Sequence, residues 1–138
     1  MTKPYIRYRS GYKYQIVEDY QVKVSVIPKT NIKTHFLELN TEGMLIIKKG
    51  YAWDGPSGPT IDTPNFMRGS LVHDALYQLL RNEFLEQKWR YEADDELRRI
   101  CREDGMSRLR AWWVHRGVRL GAGSAASPES RKKILQAP

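Results

Sequence analysis

The chain has 138 residues, 41% of them hydrophobic, which is enough for one domain with its own core and short for two. Its formal net charge is +7; no apolar run approaches the roughly 20 residues that a membrane span requires, and the first residues lack the apolar centre of a secretion signal. The single cysteine, Cys101, excludes an internal disulfide and a cluster of thiolate metal ligands, so we expect a reducing, cytosolic compartment.

The first third of the chain predicts a small antiparallel sheet. Apolar side chains recur at every second position in two successive runs: Tyr12, Tyr14 and Ile16, then Val22, Val24 and Val26. Two further runs, residues 35–39 and 44–47, flank a short loop that contains Gly43 and is typical of a hairpin.

Between Gly50 and Asn65 the sequence has three glycines and three prolines, a composition that excludes a regular helix and disfavours a central strand. Tyr51 and Trp53 indicate an ordered loop that is held against the core, because a linker rarely carries such side chains. This loop also carries Asp54 and Ser57. It stands at the junction between the sheet and the helices that follow.

Three helices are predicted after the loop. The first runs from Pro64 or Asn65 to Arg81, and the second spans residues 85–103 and ends before Gly105. The third is capped by Ser107 and ends at Gly121. The fold class is therefore α+β: a small N-terminal antiparallel sheet followed by three helices, in a single domain of residues 1–121.

The C-terminal part of the chain is basic. Residues 106–138 contain seven Arg and Lys residues against Glu129 alone, so the rest of the chain is about neutral. We expect residues 122–138 to form a mobile tail, and the basic end to solubilise the protein or to meet nucleic acid, anionic lipid or an acidic protein. We expect Trp112 and Trp113 to lie in the core with arginines at its edge. Nucleic acid is the less favoured partner, since no helix-turn-helix or zinc-finger spacing is present.

The residues whose side chains could bind a metal or take part in catalysis lie in the predicted loop and in the two helices that follow it. Asp54 of the loop, His73 or Asp74 of the first helix and Asp94 of the second would form a carboxylate-rich centre for Mg²⁺, Mn²⁺ or Ca²⁺, and one imidazole among them would admit Zn²⁺. Side chains of adjacent residues diverge by about 100° on a helix, so His73 and Asp74 meet one atom only at the rim of a cleft. The alternative is a hydrogen-bond network that fixes the loop to the helices.

Nucleophilic catalysis has less support from the sequence. Cys101 falls on the expected buried face of the second helix, where a thiol is inert. Ser57 does not lie in a nucleophile elbow, because that motif requires a helix to follow at once, and Pro59 and Pro64 come after it.

Four short motifs occur in order along the chain: YAWDGPSGP from Tyr51, VHDALY from Val72, EAD from Glu92 and GMS from Gly105. Over about residues 45–121 this order resembles a family of small uncharacterised proteins of tailed phages and prophages, a domain of unknown function. The resemblance implies a phage or prophage origin and no particular reaction. It marks these motif positions: Asp54, Ser57, His73, Asp74, Tyr77 and Asp94. This chain departs from the Thr-Asp-Gly-Ala-Ser loop common in the family at Trp53, Pro56 and Gly58-Pro59.

Two functions from different classes follow. The first is a divalent-metal-dependent hydrolase of the host cytoplasm, acting on a phosphoester or amide bond. Its catalytic residues would be His73, Asp74 and Asp54, its ligand-binding residues Trp53, Ser57 and Tyr77, and its metal ligands Asp54, His73, Asp74 and Asp94. The second is a non-catalytic virion, assembly or host-interaction protein that uses the same residues structurally, with a phage or host protein as partner. The oligomeric state stays open.

Overall fold

Seven short strands precede three helices in the computed structural model, which describes residues 5–9, 14–54, 63–121 and 126. The strands are β1 (Tyr8–Arg9), β2 (Tyr14–Ile16), β3 (Tyr20–Lys23), β4 (Ile32–Lys33), β5 (Leu37–Leu39), β6 (Met44–Ile47) and β7 (Ala52–Trp53). The helices are α1 (Pro64–Arg81), α2 (Arg90–Glu103) and α3 (Arg108–Gly121), with a 3₁₀ turn at Gln87–Trp89. The predicted α+β class and the order of sheet before helices are confirmed. The predicted tail lies outside the described residues except for Ala126, which is buried.

The strands form two antiparallel sheets, although the sequence suggested one. Their orders are β1-β2-β7 and β3-β6-β5-β4. The predicted hairpin is β5–β6, in which Leu39 faces Leu45. The Asn40 side chain accepts hydrogen bonds from the backbone N–H groups of Glu42 and Met44, both at 2.9 Å. Gly43 has a φ of +82°, and a Cβ there would lie 2.5 Å from the carbonyl oxygen of Val24. The turn therefore requires glycine for both conformation and space.

The main core lies between the strands and the inner face of α1. Val22, Val24 and Val26 are all buried, as their alternation predicted. They pack in one cluster with buried residues of α1, namely Met67, Leu71, Val72, Ala75, Leu76, Tyr77, Leu79 and Leu80. Burial of these apolar side chains fixes α1 against the sheet, and the position of α1 then decides where its polar residues point.

The helices α1 and α2 approach each other closely at Gly69. A Cβ at this position would lie 2.7 Å from Cys101 Sγ and 3.1 Å from Leu97 Cδ1, so any other residue would require these side chains or α2 to shift. Cys101 is buried here, and burial raises the pKa of its thiol to about 12. A protonated thiol is a poor nucleophile, which agrees with the structural role predicted for this cysteine.

Arg68 of α1 is buried and joins three elements. Its guanidinium contacts both Asp104 carboxylate oxygens, with Nε at 3.0 Å and Nη2 at 2.9 Å, and Nη2 lies 2.7 Å from Glu103 Oε1. Its Nη1 donates to the Tyr20 hydroxyl oxygen at 2.9 Å. The arginine thus ties α1 to the C-terminal end of α2 and to the first residue of β3.

The expectation that Trp112 and Trp113 lie in the core is wrong. These side chains are 45% and 63% exposed, whereas Ala111 and Val114 are the buried residues of α3. The buried stripe of α3 packs on a second cluster that includes Met106. Small side chains allow α3 to lie close to α2, and the helical period then turns the two indoles toward solvent. In the described ranges, no helix is long and apolar enough to cross a membrane.

Candidate functional site

Asp94 of α2 is the centre of a polar network that joins all three helices. Its carboxylate is fully buried, with 0% of the residue exposed. Oδ1 accepts hydrogen bonds from His73 Nε2 at 2.7 Å and from the Tyr77 hydroxyl at 2.6 Å, both from α1. Oδ2 accepts from Arg119 Nη1 of α3 at 2.6 Å. Both carboxylate oxygens are therefore engaged by protein donors, one of them a cation.

The surroundings of Asp94 favour its ionised form. Burial by itself would raise the pKa of this carboxyl, but hydrogen bonds from His73 and Tyr77 and the Arg119 guanidinium outweigh burial and hold it below its ordinary value. Burial and the hydrogen bond to this carboxylate raise the pKa of Tyr77. Asp94 is thus an anion that neutral and cationic donors stabilise, and Tyr77 keeps its proton.

His73 lies at the edge of this network. Its ring is tilted by 36° against the Tyr77 ring, with 4.1 Å between the centroids, and its side chain is only slightly exposed. Because an ionised carboxylate only accepts hydrogen bonds, the His73 proton is on Nε2, which donates a hydrogen bond to Asp94. Among the described residues, Nδ1 has no hydrogen-bond partner. The imidazole is therefore oriented through one nitrogen and keeps the other for a further contact.

Asp74 points in a different direction from His73 and joins a second cluster. Its Oδ2 accepts a hydrogen bond from the Tyr51 hydroxyl at 2.6 Å, and that hydroxyl also lies 3.1 Å from Gln78 Oε1. Burial raises the pKa of the Asp74 carboxyl, and the nearby charge of Asp54 acts in the same direction against the Tyr51 hydrogen bond. The cluster fastens Tyr51, the residue before β7, to the side of α1.

The loop residues predicted for the site are placed as follows. Asp54 is exposed and lies near enough to Asp74 and Tyr51 to raise the pKa of both. Trp53 is buried, and its indole N–H donates to Ser70 Oγ at 3.0 Å, so the ring fixes the loop to α1. Ser57 lies outside the described residues.

The four predicted metal ligands are divided between these two clusters. His73 and Asp94 meet, whereas Asp74 and Asp54 belong to the neighbourhood of Tyr51. Across residues 5–9, 14–54, 63–121 and 126, no group of three or more His, Cys, Asp or Glu side chains is arranged to hold a metal ion. Each carboxylate oxygen of Asp94 already accepts a hydrogen bond from a donor within the protein.

The sequence did not indicate two partners of the site residues: Arg119, which pairs with Asp94, and Tyr51, which donates to Asp74. Arg119 lies 25 positions from Asp94, and its guanidinium also stacks 3.5 Å from the centroid of the Tyr91 ring. Arg90 supports it by donating from Nη2 to the Arg119 carbonyl oxygen at 2.9 Å. The spacing of residues along the sequence does not predict the contact between Asp94 of α2 and Arg119 near the end of α3, because the docking of these two helices creates that contact.

The fold and the site define an α+β domain with a buried Asp/His/Arg network between its helices. No family model, curated protein or solved structure matches this chain.

Proposed function

We propose that this chain is a non-catalytic interaction protein of a tailed phage or prophage. In this proposal the Asp and His residues of the motifs hold the loop and the helices together, and the outer face of α3 binds a negatively charged macromolecule. The phage origin rests on the family resemblance of the motifs. The structural role is supported by Asp94, whose two oxygens are engaged by three donors inside the protein.

The observation that carries the proposal is the row of large apolar side chains on the solvent side of α3. Leu109, Trp113 and Leu120 are 69%, 63% and 78% exposed, and their spacing of four and seven residues places them on one face. Large apolar side chains exposed along one face of a helix are a feature of binding surfaces, and tryptophan is enriched among the residues that dominate binding energy.

The charge around this stripe indicates the sign of the partner. The α3 sequence has four arginines and no acidic residue. Arg119 is paired with the buried Asp94, so Arg108 and Arg116 contribute most to the charge beside the stripe. The Arg116 guanidinium lies 5.4 Å from the centroid of the Trp112 ring, which holds the charge beside the exposed indoles. A surface of this kind attracts an anionic partner and repels a basic one.

The test uses the full chain and three labelled polyanions: polyglutamate, a single-stranded oligonucleotide and vesicles that contain phosphatidylglycerol. We expect binding to at least one of them at low salt. Trp113→Ala and Arg116→Glu should each weaken it about tenfold, because they remove an exposed anchor and reverse a charge. Phe84→Ala and Lys33→Glu are matched controls, since Phe84 and Lys33 are exposed residues away from α3. Absence of binding to all three polyanions would overturn the proposal.

One observation supports a second candidate, a hydrolase in which His73 is the general base. A buried carboxylate that fixes an imidazole at 2.7 Å, with the other ring nitrogen left for substrate, is an arrangement that general-base catalysis uses. The metal-dependent form of this candidate needs Asp54 and Asp74 to move toward His73, since they now lie around Tyr51.

Thermal unfolding in Mg²⁺, Mn²⁺, Ca²⁺ and Zn²⁺, with a chelator as reference, separates the two candidates. The interaction proposal expects the same midpoint in every cation, because a ligand raises the midpoint only when it binds the folded form. A midpoint that rises in one cation and no longer does so in Asp54→Asn would support the hydrolase. Hydrolysis of a model phosphodiester that is lost in His73→Gln would support it further.

A further inference from the structure

A groove between α2 and α3 has an unusual concentration of arginine. It encloses about 490 Å³ and lies beside Ser25, two residues after β3. Four guanidinium groups line it, three from α2 and one from the start of α3: Arg98, Arg99, Arg102 and Arg108. Trp112 and Ala111 of α3 form its apolar wall. A cavity of this size holds a ligand of small-molecule dimensions.

Two of these arginines are already neutralised. Arg99 Nε lies 2.6 Å from Glu96 Oε2, and the other Glu96 oxygen accepts from the Ser25 N–H at 2.7 Å. Arg98 lies 3.7 Å from an Asp95 oxygen. Glu96 is thus a buried structural anion.

The other two arginines give the groove its positive charge. Arg102 donates to the Met106 carbonyl oxygen at 2.5 Å, which leaves its charge uncompensated. Within the described ranges, neither Arg102 nor Arg108 has a carboxylate at ion-pair distance.

Trp112 adds an aromatic surface beside these charges. Its ring meets Trp113 edge to face, with 5.1 Å between the centroids and 79° between the planes. The indole is therefore both held by its neighbours and open to solvent. Guanidinium groups that follow a phosphate backbone, together with an aromatic ring on which a base stacks, are the combination that recognises single strands.

We propose that this groove binds single-stranded nucleic acid, with phosphates at Arg102 and Arg108 and a base stacked on Trp112. The inference rests on the proposed function and narrows the anionic partner to one class. A concave site suits a flexible strand better than the flat surface of a membrane. Guanidinium forks match phosphate oxygens in pairs, and an unpaired base supplies the planar face that an indole stacks upon.

The test is fluorescence anisotropy of labelled oligothymidylate with the full chain over a range of salt concentrations. We expect Trp112→Ala to weaken binding about tenfold, which corresponds to loss of one stacked base. Arg108→Gln should weaken it and lower the slope of log affinity against log salt by about 0.7, the value for one phosphate contact on a single strand. Lys33→Gln, which removes one charge on β4, should change neither quantity. The melting midpoint of each variant is measured alongside to confirm that it folds.

Each other outcome has a defined meaning. Binding to polyglutamate or to anionic vesicles without binding to oligothymidylate would overturn this inference and leave the proposed function standing. Binding to duplex DNA as tight as to the single strand would overturn the stacking role of Trp112. Binding to oligothymidylate that neither Trp112→Ala nor Arg108→Gln weakens would overturn the assignment to this groove. Binding to none of the probes would overturn the proposed function as well.

Discussion

Replacing Asp94 with alanine should lower the free energy of unfolding by about 3 to 5 kcal/mol, the range for removing one partner of a buried ion pair. The substitution removes the acceptor of three hydrogen bonds at once. The Tyr77 hydroxyl would stay buried without its acceptor, and Arg119 would lose its counter-charge. Chemical denaturation followed by circular dichroism measures the change.

The neighbouring residue on the same helix provides the control. Asp95 also contacts a histidine, with His115 Nε2 at 2.8 Å, but its side chain is 57% exposed. Asp95→Ala should therefore cost less than about 1 kcal/mol, as is usual for an exposed ion pair. Equal losses for Asp94→Ala and Asp95→Ala would show that the buried network does not stabilise the fold.

The dependence of stability on pH should separate Asp94 from Asp74. The pKa of Asp94 lies below its ordinary value, so its contribution is fully present above the unfolded pKa of ~3.9 and is lost as the pH falls through the folded pKa. The pKa of Asp74 is raised, so its contribution is present below the unfolded pKa and is lost as the pH rises through the folded one. Acidification should therefore destabilise wild type more steeply than Asp94→Asn. It should destabilise Asp74→Asn at least as steeply as wild type.

Replacing Arg68 with alanine is the second large change, and we expect it to cost about 3 kcal/mol. The guanidinium is buried and holds the Asp104 carboxylate with two nitrogens, so its loss separates α1 from the end of α2. The Tyr20 hydroxyl would also lose its donor. The value lies at the lower end of the range for buried ion pairs, because Glu103 and Asp104 still reach solvent.

Four variants define the contribution of the Arg68 ion cluster. Arg68→Lys keeps the charge but not the paired contacts, so its stability should lie between wild type and Arg68→Ala. Tyr20→Phe removes only the hydroxyl and should cost about 1 kcal/mol. Arg98→Ala, at a half-exposed arginine with one long ion pair, is the control and should be nearly neutral. An Arg68→Met variant as stable as wild type would show that packing of the side chain stabilises the fold and the ion pairs do not.

Much of the fold was predictable because its signals are local. The hairpin follows from Asn40 and Gly43, whose side-chain acceptor and positive φ close the turn. The start of α1 at Pro64 and the end of α2 before Gly105 follow from the conformations that these residues allow. The division of the strands into two sheets was not predictable, since the pairing of β2 with β7 joins residues almost forty positions apart.

The candidate site was predictable in its residues and less so in their partners. The VHDALY and EAD motifs contain His73 and Asp94, and the structure brings these two residues together. The divergence of His73 and Asp74 follows from their adjacency on a helix. Tyr51 becomes the partner of Asp74 through the docking of α1 against the residues that precede β7. Arg119 becomes the partner of Asp94 through the docking of α2 against α3.

The sequence by itself indicated the three helices and the four strands β2, β3, β5 and β6, because backbone hydrogen bonding and side-chain period act over a few residues. The two-residue strands β1, β4 and β7 are too short to show a period, and only their pairing in the tertiary structure defines them. Only the tertiary structure decided which face of α3 is buried. That helix has two apolar stripes of helical spacing. One consists of small side chains, with Ala111 and Val114, and the other of large side chains, with Trp113. Close packing against α2 buries the stripe of small side chains, since bulky indoles would hold the helices apart, and the stripe of large side chains is left exposed to solvent.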